Sequence, residues 1–339
     1  MDPKHVYALA AAQGMSIIET ESCTWVQKRR FFLESAPGHR RVRLRPGEAG
    51  KLFLRGVMAL RYTCDENEGA PSFEYVCTDR NFGLESLASD ARRRVRRGLE
   101  ACDVRRIDCD LLRREGRAIN CDVFERQGRA KWGFLTEQSA WDHYTKVCST
   151  LPNMEAYGAF VQGRLIAYSL GVFVEDYCYL FHTHAFSDFL RYSPINALTF
   201  TVMKSALCRP TVSCVSQGFE SFRSLPDVER FKLSMGFFKR PIGRRVLINP
   251  IALPAFLGPG AWLTHEFVKK FKPGLADDFS AFVQSIQSRV VNTRSQQSQH
   301  HAHSGSQNEF GATRSPVSPE GRELRSARKL PSGDPVNDG

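Results

Sequence analysis

Apolar and polar positions are most regularly patterned between residues 157 and 250 of the chain. Three runs there have the length and composition of β-strands, and the short turns between them favour antiparallel hairpins. Later segments combine helical spacing with further strand patterns. The predicted elements are strands at 157–161, 163–174 and 177–186, a helix at 195–207, a strand at 211–216, a helix at 226–235 and a strand at 245–248. This order, β-β-β-α-β-α-β, predicts a mixed sheet with helices packed on it.

The first 150 residues mix strand and helix patterns. Aromatic and β-branched residues separated by polar turns predict strands before residue 80. From residue 84 onward, apolar residues recur at spacings of three and four, which predicts helices. The predicted strands are at 22–35, 52–64, 72–78 and 103–107, and the predicted helices are at 84–102, 108–127 and 137–148.

The composition changes after residue 249. A segment rich in Pro, Gly and Leu leads into a helical pattern at 262–291, and from residue 292 the chain is polar and nearly free of large apolar residues. Such a composition predicts disorder. We therefore divide the chain into an N-terminal half, a second α/β unit, a helical extension and a disordered tail, at 1–150, 151–250, 251–291 and 292–339.

The sequence predicts neither a membrane span nor a secretory signal. The longest nearly apolar stretch, 165–174, is flanked by Arg164 and Glu175 and is far shorter than the roughly 20 residues of a spanning helix. The first residues include an acidic second residue and only a brief apolar run, unlike a signal peptide. We therefore expect a cytoplasmic protein.

The ten cysteines are scattered singly, and no Cys-x-x-Cys pair occurs. This spacing argues against a zinc ribbon or a thioredoxin-type redox pair. The pattern predicts reduced and mostly buried thiols that pack as small hydrophobic side chains.

The charge is strongly basic and locally concentrated. The chain has 47 Lys and Arg against 36 Asp and Glu, a net charge of +11, and five arginines lie within residues 92–97. On a helix that run wraps most of the circumference, so at least one arginine must face the protein or a bound anion. The run is equally typical of a solvated helix face and of a phosphate-binding patch.

The segments 157–207 and 218–237 resemble the GNAT acyltransferase superfamily, and most closely its FemAB/FemX-like branch. The sequence GRLIAY at 163–168 is similar to the paired central strand of that family, and FKLSMGF at 231–237 to its closing segment. The stretch at 91–108, which contains the arginine run, resembles a basic helix in the first half of such proteins. The resemblance covers roughly residues 84–250. It implies an α/β (α+β) fold with a mixed, mostly antiparallel sheet flanked by helices, in two GNAT-like halves of which the first is degenerate.

The resemblance also implies a donor site at the loop 191–196. A loop before a helix presents free N–H groups and the positive end of the helix dipole, which suits the phosphates of acetyl-CoA or another acyl-CoA. Arg191, Ser193 and Asn196 would contact this donor. Pro194 and Asn196 stand where the family has glycine. Proline removes one N–H donor, and both side chains restrict close approach of a phosphate.

The resemblance further implies that Phe231 and Lys232 border the transfer site, with the lysine stabilising negative charge. Taken alone, a lysine in a short helix is more typical of a solvated residue. If the donor is an aminoacyl-tRNA, Arg93 and Arg96 on the basic helix are candidates for contact with its nucleic-acid part.

Three residues are candidates for proton transfer or substrate contact. Glu220 follows a predicted strand, Tyr192 is placed to protonate a leaving thiolate, and His184 shares one strand face with His182. A packed, hydrogen-bonded histidine pair is favoured over a metal site, because the sequence shows no third ligand.

The sequence thus predicts an N-acyltransferase that moves an acyl or aminoacyl group from acyl-CoA or aminoacyl-tRNA to a small-molecule or peptide amine. Attack would be direct, with backbone amides near 215–218 or Lys232 stabilising the oxyanion. No metal is expected. No GxSxG elbow or P-loop occurs, so hydrolase and nucleotide-triphosphatase functions have no support. The alternative is a non-catalytic nucleic-acid-binding or adaptor protein on a degenerate GNAT fold, which the missing glycines and the arginine run both permit.

Overall fold

In the described part of the computed structural model, the strands join one sheet of eleven strands. The structure describes residues 2–29, 31–128, 133–221 and 225–252. The predicted tail, and all of the predicted helical extension beyond residue 252, lie outside these residues.

The strands of the described residues are β1 (Ile17–Glu19), β2 (Thr24–Arg29), β3 (Phe32–Ala36), β4 (Ala59–Cys64), β5 (Ala70–Cys77), β6 (Asp103–Ile107), β7 (Met154–Val161), β8 (Arg164–Val174), β9 (Tyr177–Ala185), β10 (Cys214–Phe219) and β11 (Phe238–Ile248). Their order across the sheet is β1-β2-β3-β4-β11-β5-β10-β9-β8-β7-β6. The pairs β3–β4 and β9–β10 are parallel, and the other eight neighbouring pairs are antiparallel. The predicted mixed, mostly antiparallel sheet is confirmed.

Helices flank this sheet on both faces. Those of the described residues are α1 (Lys4–Ala12), α2 (Glu48–Leu54), α3 (Ser89–Ala101), α4 (Cys109–Arg126), α5 (Gly133–Thr136), α6 (Gln138–Thr150), α7 (Pro194–Leu207) and α8 (Pro226–Ser234), with 3₁₀ turns at Leu84–Ser86 and Ser187–Tyr192. The predicted order β-β-β-α-β-α-β corresponds to β7, β8, β9, α7, β10, α8 and β11.

Alternation along β8 explains how two cores form. Tyr168, Leu170 and Val172 pack with residues of α1, α4 and α6, including the fully buried Trp141. Phe173 points to the other face and joins residues of α3 and α7. Successive strand residues face opposite sides of a sheet, so a strand apolar on both faces is covered twice.

Two tight turns produce the predicted antiparallel hairpins. Gln162 and Gly163 between β7 and β8 have φ values of 51° and 79°. Two central residues with positive φ are typical of the turn whose twist matches paired strands. Glu175, with φ of 56°, begins the turn between β8 and β9.

The N-terminal part differs from the prediction in three places. Residues 22–35 form two strands rather than one, because Phe31 adopts a left-handed φ of 72° and reverses the chain. The predicted strand 52–64 begins inside α2 and only its second part is β4. The first residues form α1, whose Leu9 and Ala12 are buried against the core of α4 and α6.

Strands from distant parts of the sequence alternate in the sheet. β5, from the N-terminal half, lies between β10 and β11. The division of the chain at residue 150 stays a prediction.

Six of the ten cysteines are buried, as predicted, and they are Cys64, Cys77, Cys102, Cys148, Cys178 and Cys214.

Candidate active site

The parallel strands β9 and β10 pair briefly and then separate. Their ladder ends at Tyr179 and Ser216, whereas β9 continues to Ala185 and β10 to Phe219. In the described residues no strand pairs with this edge of β9 beyond Tyr179. Unpaired strand edges present N–H and C=O groups to a ligand. We call this opening the β9–β10 gap.

Both strands have irregular backbone at the gap. His182 of β9 has a φ of 37°, and the register between β8 and β9 shifts beside it. Gly218 of β10 has a φ of 86°, and the register with β5 shifts between Ser216 and Phe219. Bulges bend a strand and end regular pairing, so they account for the separation of the two strands.

Lys232 contacts β10 where the gap begins. Its ammonium group donates a 2.8 Å hydrogen bond to the backbone oxygen of Gln217 and lies 4.2 Å from the centre of the Tyr75 ring. Burial disfavours the charged form and lowers the pKa of Lys232 to about 8, against the opposing attraction of Glu229. This partly buried lysine is therefore not the solvated residue that the sequence pattern alone favours.

Two further residues fix the surroundings of this lysine. The Tyr75 hydroxyl donates to Glu229 over 3.0 Å, and Lys239 pairs with the same carboxylate at 2.5 Å. Burial, followed by the hydrogen bond to Glu229, raises the pKa of Tyr75 to about 12. The hydrogen bond from Lys239 is the main cause that lowers the pKa of Glu229. The aromatic ring thus stays neutral beneath the ammonium group of Lys232.

Glu220 lies at the end of β10 but bonds to β5. Its backbone N–H donates to Phe73 over 2.9 Å, and its carboxylate accepts from the Ser72 hydroxyl over 2.8 Å. Ser72 and Tyr75 point to opposite faces of β5, because they are an odd number of residues apart. Glu220 and Lys232 therefore contact opposite faces of the sheet, and the proton-transfer role of Glu220 stays a prediction.

The predicted donor loop forms the start of α7. Ser193 has a left-handed backbone (φ 57°, ψ 41°), and Pro194 occupies the first turn. Arg191 is exposed and donates to the Tyr192 hydroxyl over 3.1 Å. Asn196 is buried, and its side-chain amide donates to Met235 Sδ over 3.5 Å. Arg191 is therefore accessible to a ligand, whereas the side chain of Asn196 is already engaged.

The basic helix α3 packs directly against this loop. A Cβ atom on Gly98 would lie 2.7 Å from the Ser193 backbone oxygen and 2.8 Å from Ala197 Cβ, so the glycine permits the close approach of α3 to α7. Arg92 is the arginine that faces the protein, since it donates to the backbone oxygen of Leu87 over 3.3 Å.

The other arginines of α3 face outward. Arg93, Arg96 and Arg97 are exposed and line a surface depression of about 540 Å³. Arg93 pairs with Asp90 at 2.6 Å, but in the described residues Arg96 and Arg97 form no ion pair. The sequence-predicted substrate contacts Arg93 and Arg96 thus belong to one basic surface.

The two histidines of β9 are held by neighbouring side chains. His184 Nδ1 lies 2.6 Å from Asn120 Oδ1, which is an acceptor because the Asn120 amide nitrogen donates to Leu135 over 3.0 Å. Burial lowers the pKa of His182 to about 3. In the described residues no group of three or more His, Cys, Asp or Glu side chains could hold a metal ion. A role for His184 in substrate binding stays a prediction.

Tyr75, Gln217 and Glu229 were not identified from the sequence. Tyr75 lies more than 150 residues before its hydrogen-bond partner Glu229, and Gln217 contributes only its backbone oxygen to Lys232. Long-range pairing of β5 with β10 brings them together. A single sequence carries no local signal for such a pairing.

Comparison with known proteins gives a family match and several similar folds. Residues 86–233 match the family model described as an acetyltransferase (GNAT) domain. L-PGS of Bacillus licheniformis is 9% identical, covers 75% of this chain and 90% of that one, and has a TM-score of 0.50. The C-terminal domain of a candidate lysylphosphatidylglycerol synthetase of Agrobacterium fabrum is 9% identical, covers 79% and 92%, and has a TM-score of 0.50.

The crystal structure of FemX is 11% identical, covers 70% of this chain and 85% of that one, and has a TM-score of 0.49. The search of curated proteins found no significant match.

The fold and this match define an enzyme of the acyltransferase class. Residues 86–233 match the GNAT domain model, in agreement with the resemblance predicted from the sequence. In the described residues no helix is long and apolar enough to cross a bilayer.

Proposed function

We propose that the protein is an N-acyltransferase of the FemAB-like kind that transfers an acyl or aminoacyl group to an amine in the β9–β10 gap. The observation that carries this proposal is the position of Lys232, whose ammonium group binds β10 where the two strands part. The predicted donor loop at the start of α7 follows directly from β9. A cytoplasmic location remains part of the proposal.

The transfer itself needs no covalent enzyme intermediate. The neutral nitrogen of the acceptor attacks the donor carbonyl, and a carbon–nitrogen bond forms as the carbonyl oxygen becomes negative. The carbon–sulfur bond of a thioester, or the carbon–oxygen bond of an aminoacyl ester, then breaks. The leaving thiolate or alkoxide takes up a proton, and the acceptor nitrogen releases one.

Lys232 is suited to stabilise the oxyanion. One of its three N–H bonds is directed at Gln217 and its charge lies against the Tyr75 ring, so a further N–H remains for a developing negative charge. Positioned donors in a water-poor site are worth more than in water. The amide of Gly218, by contrast, already donates to the Ser216 hydroxyl over 3.2 Å.

The lowered pKa of Lys232 predicts a pH dependence. The charged form is the one that stabilises an oxyanion, and it is lost as the pH rises through about 8. We therefore expect kcat/KM to fall on the alkaline side with an apparent pKa near this value. In the variant Lys232→Arg any remaining activity should lack this fall, since arginine stays charged. An unchanged alkaline limb in that variant would assign the titration to another group.

The donor is a phosphorylated acyl carrier, and two classes are compatible with the site. Arg191 is accessible beside the α7 N-terminus, which favours acyl-CoA. If acetyl-CoA binds there, it should raise the Tm of the full chain, and Arg191→Ala should abolish that increase. Arg230→Ala is the control, because Arg230 is exposed on α8 and pairs with Asp227.

The outward arginines of α3 favour aminoacyl-tRNA instead. In that case acetyl-CoA should not change the Tm, and tRNA should bind in a salt-sensitive way that is lost in the double variant Arg93→Ala/Arg96→Ala. Binding of tRNA without any acyl transfer would support the adaptor function and contradict the enzyme.

A further inference from the structure

A second polar site lies in a cavity of about 250 Å³ on the other face of the sheet from Lys232. Glu74 lines this cavity, whereas the next residue, Tyr75, contacts Lys232. Successive residues of a strand point to opposite faces. In β10 the Ser216 hydroxyl donates to Glu74 over 2.6 Å, so the Ser216 side chain lies on the cavity side of the sheet. The cavity and Lys232 thus lie on opposite faces of the part of the sheet where β5 pairs with β10.

The wall of the cavity is built from buried, hydrogen-bonded side chains. Glu74 is fully buried and pairs with Arg240, and Arg240 Nη2 also donates to the Tyr177 hydroxyl over 2.6 Å. The His39 ring stacks on Tyr177 with 3.9 Å between ring centres. These contacts hold the wall rigid before any ligand binds.

His39 is locked in one orientation by two partners. Its Nε2 lies 2.6 Å from the Glu175 carboxylate, and its Nδ1 contacts the Tyr179 hydroxyl. In a neutral ring Nε2–H donates to the carboxylate, so Nδ1 accepts from the tyrosine. The imidazole side chain is only 7% exposed.

The charges around the cavity suit a zwitterion. Arg240 and Arg41 are the cationic lining residues, and Glu74 and Glu66 the anionic ones. Both side-chain hydrogen bonds of Arg240 to described residues use Nη2, which leaves its other N–H groups for a carboxylate. Because the two signs balance, a dianionic phosphate gains little here, whereas a molecule with an ammonium and a carboxylate meets a partner for each.

We propose that this cavity binds the amine acceptor, and that the acceptor is an amino acid. A volume of about 250 Å³ is below the ~300–1,000 Å³ typical of sites for drug-sized ligands. Donor and acceptor approach from opposite faces of the sheet and meet in the β9–β10 gap, where the acceptor nitrogen, after losing its proton, attacks the donor carbonyl. The role of the bound amino acid as acceptor rests on the proposed function, whereas its binding to the cavity does not.

Two matched pairs of exposed residues test the binding. Arg41 and Arg43 both pair with Asp65, but only Arg41 lines the cavity. In the same way, Glu66 lines the cavity, whereas the nearby Glu68 does not. Substitution of these exposed side chains leaves the buried wall intact.

The experiment is saturation-transfer NMR of the full chain with the free L-amino acids, without any donor. We expect at least one to bind in the millimolar range or tighter, and its amine-free and carboxylate-free analogues to bind more weakly. Arg41→Ala and Glu66→Gln should each weaken binding by about tenfold, as for the loss of one charge-assisted contact. Arg43→Ala and Glu68→Gln should not.

Absence of binding by every amino acid would overturn the proposal, as would equal effects of Arg41→Ala and Arg43→Ala. If an amino acid binds as expected but no donor is consumed in its presence, the site stands and the proposed function fails. If transfer occurs to an amine whose KM is unchanged by Arg41→Ala and Glu66→Gln, the proposed function stands, but the cavity is not the acceptor site.

Discussion

Replacement of Lys232 by methionine should lower kcat for acyl transfer by about 10²–10³, the effect typical of losing one oxyanion donor. The protein should remain folded, because methionine is similar in length to the aliphatic part of the lysine side chain. The substitution also removes the cost of burying the ammonium group. Tm and kcat measured on the same preparation check both expectations.

Lys239→Met is the matched control. Lys239 also lies over an aromatic ring, 4.5 Å from the centre of Phe73, and pairs with Glu229 at 2.5 Å. Among the described residues no hydrogen bond joins Lys239 to β10, unlike Lys232. Equal losses of kcat in Lys232→Met and Lys239→Met would mean that Lys232 acts only through the general positive field of this region.

The second large effect is expected at Gly98, where α3 meets the donor loop. A methyl group there would press on the Ser193 backbone and on Ala197, and strain of this kind typically costs about 1–3 kcal/mol. We expect Gly98→Ala to destabilise the fold in urea unfolding and to weaken donor binding, because Ser193 must move.

Gly50→Ala is the control, and its expected effect on the stability of the fold has the opposite sign. Gly50 lies in α2, and a Cβ atom added there would have no neighbouring atom within 4 Å. Alanine is favoured over glycine in a helix by roughly 0.5–1 kcal/mol, so this variant should be as stable as the natural protein or more so. A Gly98→Ala protein that gained stability like Gly50→Ala would show that α3 does not constrain the loop.

The sequence was sufficient for elements whose determinants are local. The hairpin turn at Gln162 and Gly163 joins two long apolar strands, and Pro194 and Pro226 mark the starts of α7 and α8. The end of α8 was also predicted, because a glycine follows the helical pattern. Gly236 adopts the left-handed φ of 87° that commonly follows a helix.

Features determined by long-range pairing were not predicted. The predicted strand 52–64 begins in the last turn of α2, where Leu52 is buried against a core that β2, β3 and β4 complete. The position of β5 between β10 and β11 depends on residues more than 130 positions apart. Tertiary contacts therefore override local propensity in the N-terminal part.

The site was predictable only in part for the same reason. Lys232 and Arg191 follow from motif and chain order, but the cause of the lowered pKa of Lys232 is its burial in the folded chain. His39 gives no local sequence signal, because its partners Glu175 and Tyr179 are more than 130 residues away.

The most direct test of the account is amine-dependent consumption of a donor by the full chain. Acetyl-CoA and aminoacyl-tRNA are each incubated with the protein and the free amino acids, and the released thiol or uncharged tRNA is measured together with the acylated amine. We expect one donor to be consumed in step with formation of the amide, and Lys232→Met to abolish most of this rate. Consumption of neither donor, or an undiminished rate in Lys232→Met, would rule out the proposed acyl transfer.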